Sequence, residues 1–267
     1  MNFFNIIVIF SVLITSFSSA AEPVDKLCNV NLSAGFTMNE STLEFIQDTN
    51  EKITENKSLY KIIEGVNLFI NNQRITLTDT QKELVNKYDK NIRQLVPQVK
   101  KVAIEGVDSA IEGVNVAFNG LLGEGNRIAE GLTKELMLVR TQVESNLSIE
   151  KGISVGTEGL EGEALLGKNF KQRIKSSVET TVLNSMGSIL MSLGQQMIST
   201  KGSSLSFEER INKFSQSIER EIAVRTATIE KKAQELCADI VKVDTLEEEL
   251  KSTVEPLLNM NVFTVTQ

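Results

Sequence analysis

The sequence predicts an α+β fold: a small N-terminal antiparallel β-meander followed by an elongated bundle of three or four long helices. Three observations predict it. Before Thr78 the apolar residues fall in short β-prone runs separated by turn-forming stretches. At Thr78 the sequence Thr78-Asp79-Thr80-Gln81 has the form of a helix-entry capping box. Beyond it, apolar residues recur at steps of three and four for most of the chain.

In the β region, residues 21–78, the runs are LEFI at 43–46, LYKII at 59–63 and NLFI at 67–70. The polar stretch QDTNEKITENKS reads as a turn or long loop, and NNQ at 71–73 as a tight hairpin turn before RITLT. The helical region, residues 79–267, opens with Leu84, Tyr88, Ile92, Leu95, Val99 and Val102 on one face, and Pro97 predicts a kink or break there. The segment 102–120 repeats Ile-Glu-Gly-Val and places Gly106, Gly113 and Gly120 on one heptad stripe. Glycine costs a helix roughly 1 kcal/mol against alanine. The stripe therefore reads either as close packing between helices of this chain or as a groove for a helix or apolar ligand.

Residues 147–167, Gly-rich and acidic, read as a mobile loop or short hairpin. In the next helix, residues 180–200 carry no charge; Val182, Leu183, Met186, Ile189, Leu190, Leu193 and Met197 share a face opposite Asn, Ser and Gln. This is an amphipathic helix too polar to span a bilayer, half-buried or covered by a partner. From Ser206 the apolar rhythm runs to Leu257 as one long bundle helix that could break around Val243–Thr245.

The first twenty residues bear no charged side chain, are apolar from Phe3 to Leu13, and end with Ser18 and Ala20 at the positions of a signal cleavage site. Residues 1–20 therefore read as a signal peptide cut after Ala20 or Ala21, although the positive start of such leaders is supplied only by the α-amine. The alternative, an uncleaved anchor, needs about 20 apolar residues. Cys28 follows Asp25 and Lys26, so it lacks the box of a lipoprotein cysteine. The chain's two cysteines, Cys28 and Cys237, read as one disulfide of an exported protein, with two buried free thiols as the alternative. Closing so long a loop contributes roughly 5 kcal/mol in the chain-entropy picture.

Composition excludes much. With no histidine, neither a Ser-His-Asp nor a Cys-His arrangement can be built, nor a His-ligated metal site. A net charge of −7 carries no nucleic-acid footprint. The stretch 162-GEALLGKN-169 has the spacing of a phosphate loop, but Asn169 stands where Ser or Thr should hold magnesium, and Glu161 and Glu163 would repel a triphosphate. No nucleotide, cofactor or metal is expected. Asp48–Ile53 fails as a calcium loop, and Glu247-Glu248-Glu249 reads as a solvated helix face.

The segments NQRITLTDTQ, NSMGSILMSLG and ELCADIVKVDTLEEEL, with Cys28 early and Cys237 late, resemble the YggN-like family of periplasmic γ-proteobacterial proteins, a domain of unknown function. The resemblance implies a Gram-negative periplasmic location, supports the disulfide, and implies no activity. The expected function is a non-enzymatic envelope protein binding a protein partner through its helices. The alternative is a periplasmic carrier or chaperone holding an apolar ligand in a groove lined by Gly106, Gly113 and Met186. No transmembrane helix is expected in the mature chain.

Overall fold

The computed structural model describes residues 29–47, 57–122, 129–157, 165–198 and 207–266. The strands are β1 (Asn29–Leu32), β2 (Gly35–Met38), β3 (Thr42–Gln47), β4 (Lys57–Ile63), β5 (Asn67–Ile70), β6 (Gln73–Arg74), β7 (Ile153–Val155) and β8 (Phe263–Thr266). The helices are α1 (Asp79–Leu122), α2 (Glu130–Asn146), α3 (Phe170–Ile198) and α4 (Phe207–Thr253). Antiparallel strands followed by four helices make the chain α+β. It divides into two compact units: unit 1 holds residues up to 102, 144–165 and 232–267, and unit 2 holds 103–143 and 166–231.

Unit 1 is a six-stranded sheet in the order β6-β5-β4-β3-β2-β7, plus the two-stranded pair β1-β8. Strands β2 to β6 form the expected meander. Alternation along β3, β4 and β5 turns Leu43, Phe45, Tyr60, Ile62, Leu68 and Ile70 inward. Register places Phe45 opposite Tyr60 and Leu43 opposite Ile62, so cross-strand neighbours share one apolar layer. That layer joins Val85, Tyr88 and Ile92 of α1 and Val243, Leu246, Leu250 and Val254 of α4 in a single core.

The β5–β6 hairpin turns at Asn71 and Asn72, both with positive φ (49° and 61°). Two left-handed residues define the type I′ turn whose twist matches antiparallel strands, and asparagine tolerates that conformation. The capping box closes as its sequence demands. The Gln81 amide donates to Thr78 Oγ1 at 3.3 Å, and the Thr78 amide donates to Gln81 Oε1 at 2.9 Å. Gln81 also donates to the Thr253 carbonyl at 2.6 Å, fastening the start of α1 to the end of α4. Farther along, Gln98 donates to Asp239 at 2.8 Å, so the two helices run antiparallel in unit 1.

Several expectations are corrected. α1 stays helical through Pro97, which leaves the Arg93 carbonyl without its usual amide donor and does not end the helix. α4 is the one long helix expected, and it passes Val243–Thr245 without the break that could have occurred there. The stretch 147–167, expected as a loop or short hairpin, supplies a 3₁₀ turn at Ile149–Lys151 and the edge strand β7, which pairs with β2. A Cβ on Gly35 would stand 2.8 Å from the Val155 carbonyl oxygen, so glycine is what lets β2 lie beside β7. The first strand leaves the meander to pair with β8, an element the helical reading of the C-terminus did not contain.

In unit 2, side chains stitch the helices together. Arg140 of α2 donates to Asp108 of α1 at 2.7 Å, and Thr133 to Asn115 at 3.3 Å, an antiparallel pairing. Arg225 of α4 pairs with Glu112 of α1, and Arg173 of α3 with Glu135 of α2 at 3.0 Å. Val107, Leu132, Leu136, Val139, Val143 and Ile174 are buried.

Candidate functional site

Glu247 is expected on a solvated face, yet it is 1 % exposed. It sits on the α4 face that carries Val243, Leu246, Leu250 and Val254 into the core. Its Oε1 accepts the Val262 amide at 2.7 Å and its Oε2 the Phe263 amide at 2.8 Å, so both oxygens hold the chain where it enters β8. Loss of water pushes its pKa up from 4.5 to about 7, against the pull of those two amides and of Lys251. Tyr60 and Tyr88 lie near it, with their hydroxyls 3.2 Å apart, and burial lifts both phenols well above their ordinary range. Asp244, one turn back on α4, is also raised by burial.

A second buried carboxylate is Asp89 on α1. Its Oδ2 accepts from Arg93 at 2.7 Å, Oδ1 has no hydrogen-bond partner, and Arg93 also donates to the Asn39 carbonyl. No sequence pattern marked either acid; each sits at a core-facing step of its helix, the one signal that could have found them.

Neither acid lines the apolar cavity of unit 1 or the shallow cavity of unit 2. The apolar cavity of unit 1, between Leu32, Phe36, Ile92, Val99, Ile153 and Ile240, measures about 60 Å³. Ligand pockets occupy ~300 Å³ and upward. A shallow cavity of about 270 Å³ in unit 2 is lined by Asn115, Phe118, Thr133, Lys134 and Met137. Among the described residues, no group of three acids or cysteines could hold a metal ion.

The feature that stands apart is α3. Thr181 and Ser185 are buried, and Ser185 satisfies its hydroxyl on the Val182 carbonyl at 2.7 Å. Val182, Leu183, Met186, Leu190 and Met191 are 50–68 % exposed. Buried Ile174, Thr181 and Ser185 fall at steps of seven and four, which is one side of the helix; the exposed residues occupy the other. Gly187 lies in their midst, and a Cβ built there meets nothing within 4 Å.

The family profile described as "Protein of unknown function (DUF2884)" matches residues 28–263. The chain belongs to the DUF2884 family. No curated protein and no solved structure matches it.

The remaining predicted positions of this DUF2884 chain scatter. Gly106 is buried and Gly113 half-buried. A Cβ on Gly113 would meet none of the described residues within 4 Å, so no described helix packs closely there. Gly120 lies in α1, and its surroundings fall outside the described residues. Met186 is on α3 and Gly113 on α1, and neither lines the unit 1 cavity or the unit 2 cavity described above. Cys28 lies outside the described residues; Cys237 is half-buried on α4 and is not a free thiol.

Only the end of the phosphate-loop-like stretch is described. There Gly167 and Asn169 take positive φ (85° and 56°), and Arg173 donates to the Lys168 and Leu166 carbonyls. Asp48–Ile53 lies outside the described residues. No described helix is long and apolar enough to cross a membrane.

Proposed function

We propose that this chain is a non-enzymatic, exported protein of the YggN-like kind, working in the periplasm of a γ-proteobacterium by binding a protein partner through its helices. One observation carries the reading: α3 buries Thr181 and Ser185 and leaves Val182, Leu183, Met186, Leu190 and Met191 to solvent. An exposed apolar patch of that kind marks an interaction site, and methionines let it fit an irregular partner. The absence of charge from 180 to 200 suits the depleted charge at the centre of protein interfaces.

The carrier alternative is disfavoured by the about 60 Å³ volume of the apolar cavity. An enzymatic reading is disfavoured because both oxygens of Glu247 are committed to backbone amides. The bridge between Cys28 and Cys237 belongs to the same proposal. It would join the start of β1 to α4, and β1 already pairs with the C-terminal β8.

A photo-activated cross-linker in place of Met186 tests the reading in intact cells. It should trap a protein, whereas the same group at exposed Lys90 of unit 1 should not. Equal trapping at both positions, or none at Met186, would remove the reading. For the bridge, Cys28→Ser and Cys237→Ser should lower the melting temperature equally. Unequal effects, or thiols that alkylate in native material, would exclude it.

A further inference from the structure

We propose that β8 is a pH-released strap: the C-terminal strand lifts from α4 and β1, with the rest of unit 1 in place, when the two acids holding it from α4 lose their protons. The proposal is independent of the interaction reading above.

The first argument is how β8 is held. It is four residues long and pairs with β1 in a two-stranded sheet separate from the six-stranded one. Just before it, the Ser33 amide donates to the Val262 carbonyl at 2.8 Å. Residues two apart on a strand aim their amides to the same side. Those of Phe263 and Val265 reach Glu247 and Asp244, one turn apart on α4. Glu247 takes the Val262 amide as well, at 2.7 Å. Two carboxyls thus stand where a neighbouring strand would offer carbonyls, and carboxyls titrate where carbonyls do not.

The second argument is charge. The groups facing this clamp are Tyr60 from β4, Tyr88 from α1, and Glu248 and Lys251 from α4. Lys251 directs its ammonium to Glu248 at 2.5 Å and to Asn261 at 2.8 Å rather than to either acid of the clamp. The two phenols pair with each other. Glu247 is buried and Asp244 half-buried, so ionising both sets two like charges one turn apart with little water between them. Burial raises both carboxyls, Glu247 to about 7. The closed strap therefore keeps protons that a released one, with its acids in water, gives up. Rising pH favours release.

The third argument concerns extent. Val262 and Phe263 are buried, and the Phe263 ring lies 6.3 Å from that of Phe36. This packing keeps the strap closed most of the time, so release is a rare local opening of the kind that hydrogen exchange detects. Phe263 is also a wall of the apolar cavity, beside Leu32 and Ile240, and its departure uncovers that surface.

Amide hydrogen exchange on the oxidised full chain, from about pH 5 to pH 8 and corrected for the intrinsic pH dependence of exchange, tests this. The opening constant of the Phe263 and Val265 amides should rise at least about tenfold over that range. At the upper end these amides should exchange at least about tenfold faster than those of Phe45 and Ile62 in the central strands. Glu247→Gln cannot titrate and should remove most of the rise; Asp244→Asn should remove a smaller part.

Phe263 and Val265 amides that exchange no faster than those of Phe45 and Ile62 overturn the proposal, because the strand then opens only with the whole unit. So does a rise that is the same in parent and folded Glu247→Gln. Should Glu247→Gln not fold, the comparison within the parent still decides, and a rise unchanged in Asp244→Asn removes that acid from the clamp.

Discussion

Unit 1 and unit 2 solve the same problem in opposite ways. In unit 1 the apolar faces of sheet and helix meet, and even an acid reaching the core is fitted with two backbone donors. In unit 2 helix α3 buries Thr181 and Ser185 and leaves Val182, Leu183, Met186, Leu190 and Met191 bare. A buried hydroxyl that bonds its own helix costs little, because its hydrogen bond is satisfied locally. Exposed Leu and Met gain nothing until something covers them. The contrast teaches that unit 1 closes its apolar faces on one another, whereas α3 leaves five large apolar side chains bare.

The largest expected effect lies in unit 1. Glu247→Ala leaves the Val262 and Phe263 amides without their acceptor, at about 1–3 kcal/mol each. Urea unfolding should show a loss of about 3 kcal/mol, and a loss below about 1 kcal/mol would mean that water or another group takes over.

Next comes pH. Folding raises the pKa of Glu247 from 4.5 to about 7, so the folded protein holds this proton more tightly than the unfolded chain. Its contribution is complete below pH 4.5 and is lost as pH rises through about 7. The loss is about 3 kcal/mol. Tyr60, Tyr88, Asp244 and Lys251 face the same carboxyl. Glu247→Gln keeps the shape and one acceptor but cannot titrate, and its unfolding free energy should lack this slope. An identical slope in parent and variant would assign the pH dependence to other groups.

Two smaller substitutions sharpen the comparison. Thr78→Ala removes one half of the reciprocal cap and should cost about 1 kcal/mol in thermal or urea unfolding. Gly113→Ala should instead stabilise by up to about 1 kcal/mol, since a Cβ there meets nothing and the helix gains propensity. Destabilisation at Gly113 would mean that the stripe packs closely after all.

Local chemistry made much of unit 1 legible in the sequence. The Asn71-Asn72 turn, the Thr78–Gln81 cap and the alternation of LEFI and NLFI are each specified within a few residues. Elements that depend on distant partners were not. β7 and β8 are strands because β2 and β1 offer them edges, and three or four residues carry no period of their own.

Periodicity also located the two faces of α3 but not which one turns inward. A hydrophobic stripe shows that a helix has sides, and the usual assumption that the apolar side is buried fails when that side meets no neighbour. Glu247 was hidden for the opposite reason. Three consecutive glutamates look solvated, and only the three-dimensional position of Val262 and Phe263 makes a buried site for the first of them.

The central claim is that the apolar face of α3 is free in the single chain. Leu190→Glu, unfolded in urea, tests it most directly. The account predicts an unfolding free energy within about 0.5 kcal/mol of the parent, as for an exposed site. A loss of about 3 kcal/mol, the cost of forcing a charge into a packed interior, would show that the face is buried within the chain and would contradict the account.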